Sequence, residues 1–555
     1  MKRELCVLGI GLVLCLDTSA QESIPVWFNG QNGISRQVLF TDIDSASFLY
    51  GNTVGSFYMN GGMSSAMFSL VNGLDSISFS VPEGQSEPFP SAGDFDVEFS
   101  PDDRTTYVNA EEVIPGEDDP DFNDFLEHYT FTNTLTITYS GGKASCDKSL
   151  KGVTVNISGA HVNVVANVGK LRFVLKGSTD NGSFKIASDS KFRIDLSGVD
   201  ITNPKGAAIN IQSHKSVYLV LGKNTTNTLR DGSVYEDVEN EDQKATLFSE
   251  GQLLMSGSGS LSVTSISAHG ICSDDYIRLR DNLGTLTVDA AVDGINAKKR
   301  LMMYGGKVRI DAGDDGLVAR MGHIMLMGGE LDVTAVDNGV DATYSQNDTT
   351  YIMIGGGFQR IETTGSKGHC ISCTGRMYAD SATVQTLAAG DASKCMNCYG
   401  DLSIADSRIT MKTMGDPTYN DEEMDFSSAS GIRCRSNLTV TDSYIGVSSI
   451  GAGGKGFNCD GNIRLDNSDI TLVSSGGYAT RDTDSVKPRA LECLKLSIGK
   501  DVTLNICATH HAINAASYEQ RGGDVFAIST NDGTLPVKVS AGLNLTGGML
   551  YQSKY

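Results

Sequence analysis

Oxygen-bearing side chains recur at a near-constant interval in the middle of the chain. Asp293, Asp315 and Asn338 stand 22 and 23 residues apart, each just before a glycine. Asp314 and Asp337 precede two of them, and Asp341 follows the third. Carboxylates stacked at one position of a repeating fold repel one another, and calcium is the hard cation that such oxygen donors suit. Asp293, Asp314, Asp315, Asp337 and Asp341 are the candidate metal ligands. The plainer alternative is a solvated acidic corner. Asp274 and Asp275 are weaker candidates.

Sulfur forms a second pattern. Cys370-x-x-Cys373 and Cys395-x-x-Cys398 have the form of a zinc site, although the 21 residues between them slightly exceed the usual range. Cys373 and Cys398 also lie 25 residues apart, as do Cys434 and Cys459, which have no CxxC partner. That period fits stacked core thiols better, since free cysteine packs as a small apolar residue. Disulfides between adjacent layers are a third reading.

These periods belong to a repeat. The windows Thr285–Ala297 (TLTVDAAVDGINA), Lys307–Ala319 (KVRIDAGDDGLVA) and Glu330–Ala342 (ELDVTAVDNGVDA) align without gaps. Each opens with apolar residues at every second position and turns at Gly294, Gly316 or Gly339. An apolar column extends in both directions: Ile271, Ile295, Leu317, Val340, Ile371, Met396, Ile432, Phe457, Leu491 and Ile513. Two residues later runs a small-residue column: Ser273, Ala297, Ala319, Ala342, Cys373, Cys398, Cys434, Cys459, Cys493 and Ala515. Short strands in coils of this length predict an all-β fold, a right-handed parallel β-helix whose layers stack about 4.8 Å apart. Propeller blades would need about 40 residues each.

The rest of the chain is read around that solenoid. Residues 1–20 have the form of an export signal, with Lys2 and Arg3, an apolar run Leu5–Leu16 and a small residue at Ala20. The run is shorter than the roughly 20 residues of a spanning helix, and no later segment is a membrane-spanning candidate. Export to the periplasm or the cell surface is expected. Residues 21–100 form a small β module with strands near 42–48 and 73–79. Residues 101–129, with Gly116-Glu117-Asp118-Asp119-Pro120-Asp121, are a solvated acidic linker. The solenoid occupies 130–520 and a β cap 521–555. The longest insertions, 411–428 and 474–487, enter near the acidic corner, where loops would wall a groove. The formal charge of −23 excludes nucleic acid as a partner.

Residues of about 130–350 resemble a bacterial family of carbohydrate-binding β-helices whose clostridial members bind cellulose and polygalacturonate. The likeness rests on Leu175–Ser183, Gly206–Ser213, Asn224–Gly232, Leu247–Ser249, Gly257–Leu261 and His269–Asp275. The N-terminal module is similar to short domains of exported Bacteroidota proteins. The resemblance implies polysaccharide binding with bound calcium and without catalysis.

Enzyme readings are weaker. His269-Gly270 and Asp274-Asp275 occur in the reverse order to the polygalacturonase motifs. A lyase would need an arginine base beside calcium, for which Arg320 is the candidate. The single tryptophan, Trp27, lies outside the solenoid, and Tyr344, Tyr351 and Tyr399 are the candidate stacking rings. The resulting expectation is an exported, non-catalytic, calcium-assisted polysaccharide-binding protein. A calcium-dependent pectin-type lyase or hydrolase and a structural stalk are the alternatives.

Overall fold

The computed structural model describes the backbone of strands between residues 25 and 78, and residues 109–554 except 240, 344–349 and 532. The export signal, most of the module's connections and Tyr344 lie outside the described residues. The chain divides into two compact units, Ser100–Ser403 and Met1–Phe99 with Ile404–Tyr555.

The first unit is a parallel β-solenoid. Strands Thr285–Ala290, Lys307–Ala312, Glu330–Ala335 and Phe358–Thr363 pair in register, so that Val288, Ile310, Val333 and Ile361 form one buried ladder. The alternation in the sequence is the alternation of the pleat: in Lys307–Ala312 every second side chain is exposed. Short strands Ile295–Ala297, Leu317–Ala319, Val340–Ala342 and Ile371–Cys373 make a second face. Strands Tyr276–Leu279, Arg300–Met303, Ile324–Leu326 and Tyr351–Ile354 make a third.

The corner glycines are required by close approach between coils. A Cβ on Gly294 would lie 2.7 Å from the Gly316 carbonyl oxygen, and one on Gly339 would lie 2.6 Å from that of Cys370.

The small-residue column is buried, cysteines included. Its thiols point at corner carbonyls: Cys459 Sγ lies 2.9 Å from the Ser436 oxygen, and Cys434 Sγ 3.4 Å from that of Asn437. Ser273, in the same column, donates to the Gly251 carbonyl at 2.9 Å. Cysteine thus does the work of that serine hydroxyl. Burial pushes the Cys373 and Cys493 thiols up to about 12.

One expectation needs correction. Gly116–Pro120 of the acidic segment faces solvent, but both its flanks are fastened to the solenoid wall. Glu112 meets Arg278 at 2.8 Å and Arg280 at 2.5 Å, while Asp121 and Asp124 each lie 2.9 Å from Arg278. Arg278 sits between the Phe125 and Tyr304 rings, 5.0 and 4.6 Å from their centroids. Outward-facing arginines on the third face meet these carboxylates, so the segment is a strap.

The second unit continues the same coil type. Strands Arg408–Thr413, Tyr444–Ser449, Asp469–Ser474 and Thr503–Ala508 pair in parallel. The long strand Ile513–Ser529 runs through the expected cap boundary at 521 and pairs with Val537–Lys554. Strand Ser64–Ser69 of the N-terminal module pairs antiparallel with the other edge of Val537–Lys554. The module's strands Ile43–Phe48 and Leu74–Ser78 fall where alternation placed them.

Candidate metal centre and insertion corner

The residue before each corner glycine has a scaffold task. Asp315 N–H donates to Asp293 Oδ1 at 3.4 Å, Asn338 N–H to Asp315 Oδ1 at 2.8 Å, and His369 N–H to Asn338 Oδ1 at 3.1 Å. The column continues at both ends, where Asp293 N–H donates to His269 Nδ1 and Lys394 N–H to His369 Nδ1, both at 3.2 Å. Each side chain satisfies a backbone donor one coil on. Burying that donor unpaired would cost about 1–3 kcal/mol. The recurring Asp/Asn/His choice follows from this need for a short acceptor.

The alternative of a solvated acidic corner does not hold for three of the five carboxylates. Asp293, Asp315 and Asp341 are each 1% exposed, whereas Asp314 is exposed and Asp337 half-buried. The outward residues of the short second face, Asn296, Val318 and Asp341, are buried as well.

The buried carboxylates are in different electrostatic states. Burial raises Asp293, but His269, the Asn296 amide and Arg320 outweigh it and hold the group below the usual carboxylate range. Burial, with the charges of Asp293 and Asp337, pushes Asp315 up to about 7 despite the hydrogen bonds from Asn338. Burial and the Asp315 charge lift Asp341 to about 7 against a lowering pull from Thr343. Burial, then Asp314 and Asp293, raises Asp337.

Asp341 carries the clearest signal. It is buried, and apart from the pull of the Thr343 hydroxyl neither carboxylate oxygen has a hydrogen-bond partner among the described residues. One oxygen each of Asp293, Asp314 and Asp315 lies within 4.8 Å of the others. The donor set is all oxygen, as calcium prefers. Asp337 is peripheral, its Oδ2 accepting from the Asn338 amide at 3.2 Å.

Arg320 is committed to this corner as a counter-charge, 3.2 Å from Asn296 Oδ1 and 3.3 Å from Asp293 Oδ2. The weaker candidates hold lysines. Lys244 lies between Asp242 at 2.5 Å and Asp274 at 2.9 Å, and Lys299 meets Asp275 at 2.8 Å. Asp242, Glu250 and Asp274 would otherwise form a second three-carboxylate group, so Lys244 supplies the cation there. His269 and Asn296 were not singled out as partners of the carboxylates. The column itself was the signal for His269, which stands at the Asp293 position one coil earlier.

The two insertions form hairpins, Thr418–Asn420 with Asp425–Ser427 and Ala479–Arg481 with Asp484–Val486. They touch, with Tyr419 Oη donating to Asp484 at 2.8 Å and Arg481 meeting Asp421 at 2.6 Å. Of the candidate stacking rings, Tyr351 has one face against His323, with centroids 4.4 Å apart and planes 6° from parallel. Tyr399 is 38% exposed.

A family described as carbohydrate-binding domain-containing protein matches residues 151–472. A protein of that same description from Acetivibrio thermocellus is 29% identical over 122 residues, which is 21% of this chain and 42% of the relative. The match therefore spans less than half of that relative's length. A solved structure described as a polysaccharide lyase-like protein from C. thermocellum, a gadolinium derivative, is 23% identical with a TM-score of 0.37. It covers 49% of this chain and 96% of its own.

Proposed function

Because this chain belongs to the family of carbohydrate-binding domain-containing proteins, we propose that it is an exported, non-catalytic binder of acidic or plant cell-wall polysaccharide, assisted by calcium at the acidic corner. The observation that carries the calcium reading is the convergence of Asp293, Asp314 and Asp315, one oxygen of each within 4.8 Å of the others, with the buried carboxylate of Asp341 on the next coil. A buried carboxylate short of donors is costly in either protonation state, and a cation offsets that cost. Asp293, Asp314 and Asp315 would hold the ion, with Asp341 adding charge from the next coil. A calcium ion there would neutralise the corner and offer coordination to sugar oxygens.

Arg320 supports the non-catalytic part of the reading, because a base committed to Asp293 and Asn296 is poorly placed to take a sugar proton. Calorimetric titration with polygalacturonate and with cellulose, in calcium and in EGTA, tests the proposal. Binding that strengthens with calcium, with no unsaturated or shortened product, is the expected result. Product formation overturns the non-catalytic reading, and the absence of binding to either glycan in both buffers counts against carbohydrate recognition.

A further inference from the structure

The corner column carries basic side chains in the second unit, as it already does at Lys394. Where Asp293, Asp315 and Asn338 stand in the first, Lys455, Arg489 and His511 stand here, each two residues before the apolar column. Arg489 and His511 occupy successive coils, since Leu491 pairs with Ile513. Glu492 answers two of the cations, lying 2.7 Å from Lys455 and in contact with Arg489. Lys487 at the end of the second insertion is half-buried and Lys538 is exposed. Neither lysine meets a carboxylate among the described residues.

Two further features point to a ligand. His510 is 9% exposed, and its Nδ1 has no hydrogen-bond partner among the described residues. It packs edge-on to His511 at 4.0 Å and to Tyr478 at 5.6 Å between centroids. Tyr478 is 41% exposed, with Lys487 Nζ 5.9 Å from its ring centre and its hydroxyl accepting from the Asn531 amide at 2.9 Å. Burial, then the charges of His511, Lys487, Arg489 and Lys538, push His510 down to about 4. Geometry brings together the rings of Tyr478, His510 and His511 and the Lys487 ammonium, and Lys538 stands on the adjoining strand, paired with Asn514.

We propose that Tyr478, Lys487, Arg489, His510, His511 and Lys538 form a binding site for a uronic acid residue of an acidic glycan, independent of calcium. The lysines and Arg489 face the sugar carboxylate. The apolar face of the sugar ring lies on Tyr478, and His510 Nδ1 hydrogen-bonds a sugar hydroxyl. The inference rests on the acidic-glycan reading above and removes a difficulty in it. A chain of net charge −23 repels a polyuronate, and the first insertion adds Asp416, Asp421, Glu422, Glu423 and Asp425, so Lys487 and Lys538 are the cations that would meet the sugar carboxylate at contact without a metal.

The test is calorimetry on the full chain with hexagalacturonate, and with cellohexaose as the uncharged control, in EGTA. Hexagalacturonate is expected to bind in EGTA, and the double variant Lys487→Gln/Lys538→Gln to weaken it about tenfold, as losing charge-assisted hydrogen bonds should. Tyr478→Ala weakens it as well. Both lysines are at the surface, so thermal melting of the double variant should match the parent. Loss of hexagalacturonate binding in EGTA by the parent, or equal affinity in the folded double variant, overturns the site. If glycan binding then persists in calcium, the polysaccharide reading survives without this site. If nothing binds in either buffer, both fail.

Discussion

Asp315 has two roles that one substitution separates. Its Oδ1 accepts the Asn338 backbone N–H, a role the Asn338 side chain performs one coil later for His369. Asp315→Asn keeps an acceptor oxygen and should leave the fold intact while weakening calcium binding. Asp315→Ala leaves a buried N–H unpaired and should lower stability by about 1–3 kcal/mol in denaturant melts. The pH dependence has a definite sign. Asp315 and Asp341 have folded-state values raised to about 7, so they contribute stability that is full below about pH 4 and lost as pH rises through 7. In EGTA, stability should therefore rise between pH 7.5 and 5.5, by on the order of 2–4 kcal/mol for the pair. Asp315→Asn/Asp341→Asn should flatten that profile, and calcium should flatten it in the parent. A profile unchanged by the double variant excludes these two groups as its source. The period of the carboxylates was legible in the sequence because the coil repeats. Their burial was not, because an acidic column reads the same in the sequence whether its side chains face water or pack against polar partners such as Asn296 and Arg320.

At the scale of elements, the coils were the most legible part and the strap the least. Strands such as Lys307–Ala312 announce themselves by alternation, and the corner glycines mark where neighbouring backbones touch. An acidic, Pro- and Gly-bearing segment has the same composition whether it is a linker or a strap. Its partners Arg278 and Arg280 lie more than 150 residues away, on positions that look like any solvent-facing side of a strand. The strap's grip gives a prediction. Glu112 has its side chain 1% exposed and holds both arginines, so Glu112→Gln leaves the buried Arg280 with only Glu127 at 3.3 Å and Asp281 at 4.0 Å, while Arg278 keeps Asp121 and Asp124, at a cost of about 1–3 kcal/mol. Detaching the strap relieves that cost without opening a coil. The expected outcome is faster hydrogen exchange and proteolysis within 109–128, with the main melting transition shifted little. A large drop in that transition with the strap still protected would make the strap an integral part of the core.

At the scale of the whole molecule, charge is the property that matters for a polyanionic ligand. The net charge of −23 does not change when residues 1–20 are removed, because Lys2 and Arg3 are matched by Glu4 and Asp17. Two opposing electrostatic effects then act on the approach of a polyuronate. The mean field repels it at long range, while the cations around Tyr478 and His510 attract it at contact. Salt screens the first more than the second, since the Debye length falls from about 30 Å at 0.01 M to about 10 Å at 0.1 M, while contact distances stay below both. Association should therefore speed up with salt over that range, the opposite of a steered encounter between unlike charges. Dissociation should speed up too, because the Lys487 and Lys538 contacts are partly solvated. Stopped-flow measurement with hexagalacturonate in EGTA, from 0.01 to 0.1 M sodium chloride, resolves the two rates, with cellohexaose expected to respond to neither. An association rate that falls with salt would mean that the local cations govern the long-range field, and the −23 average would then be the wrong description of what an approaching glycan meets.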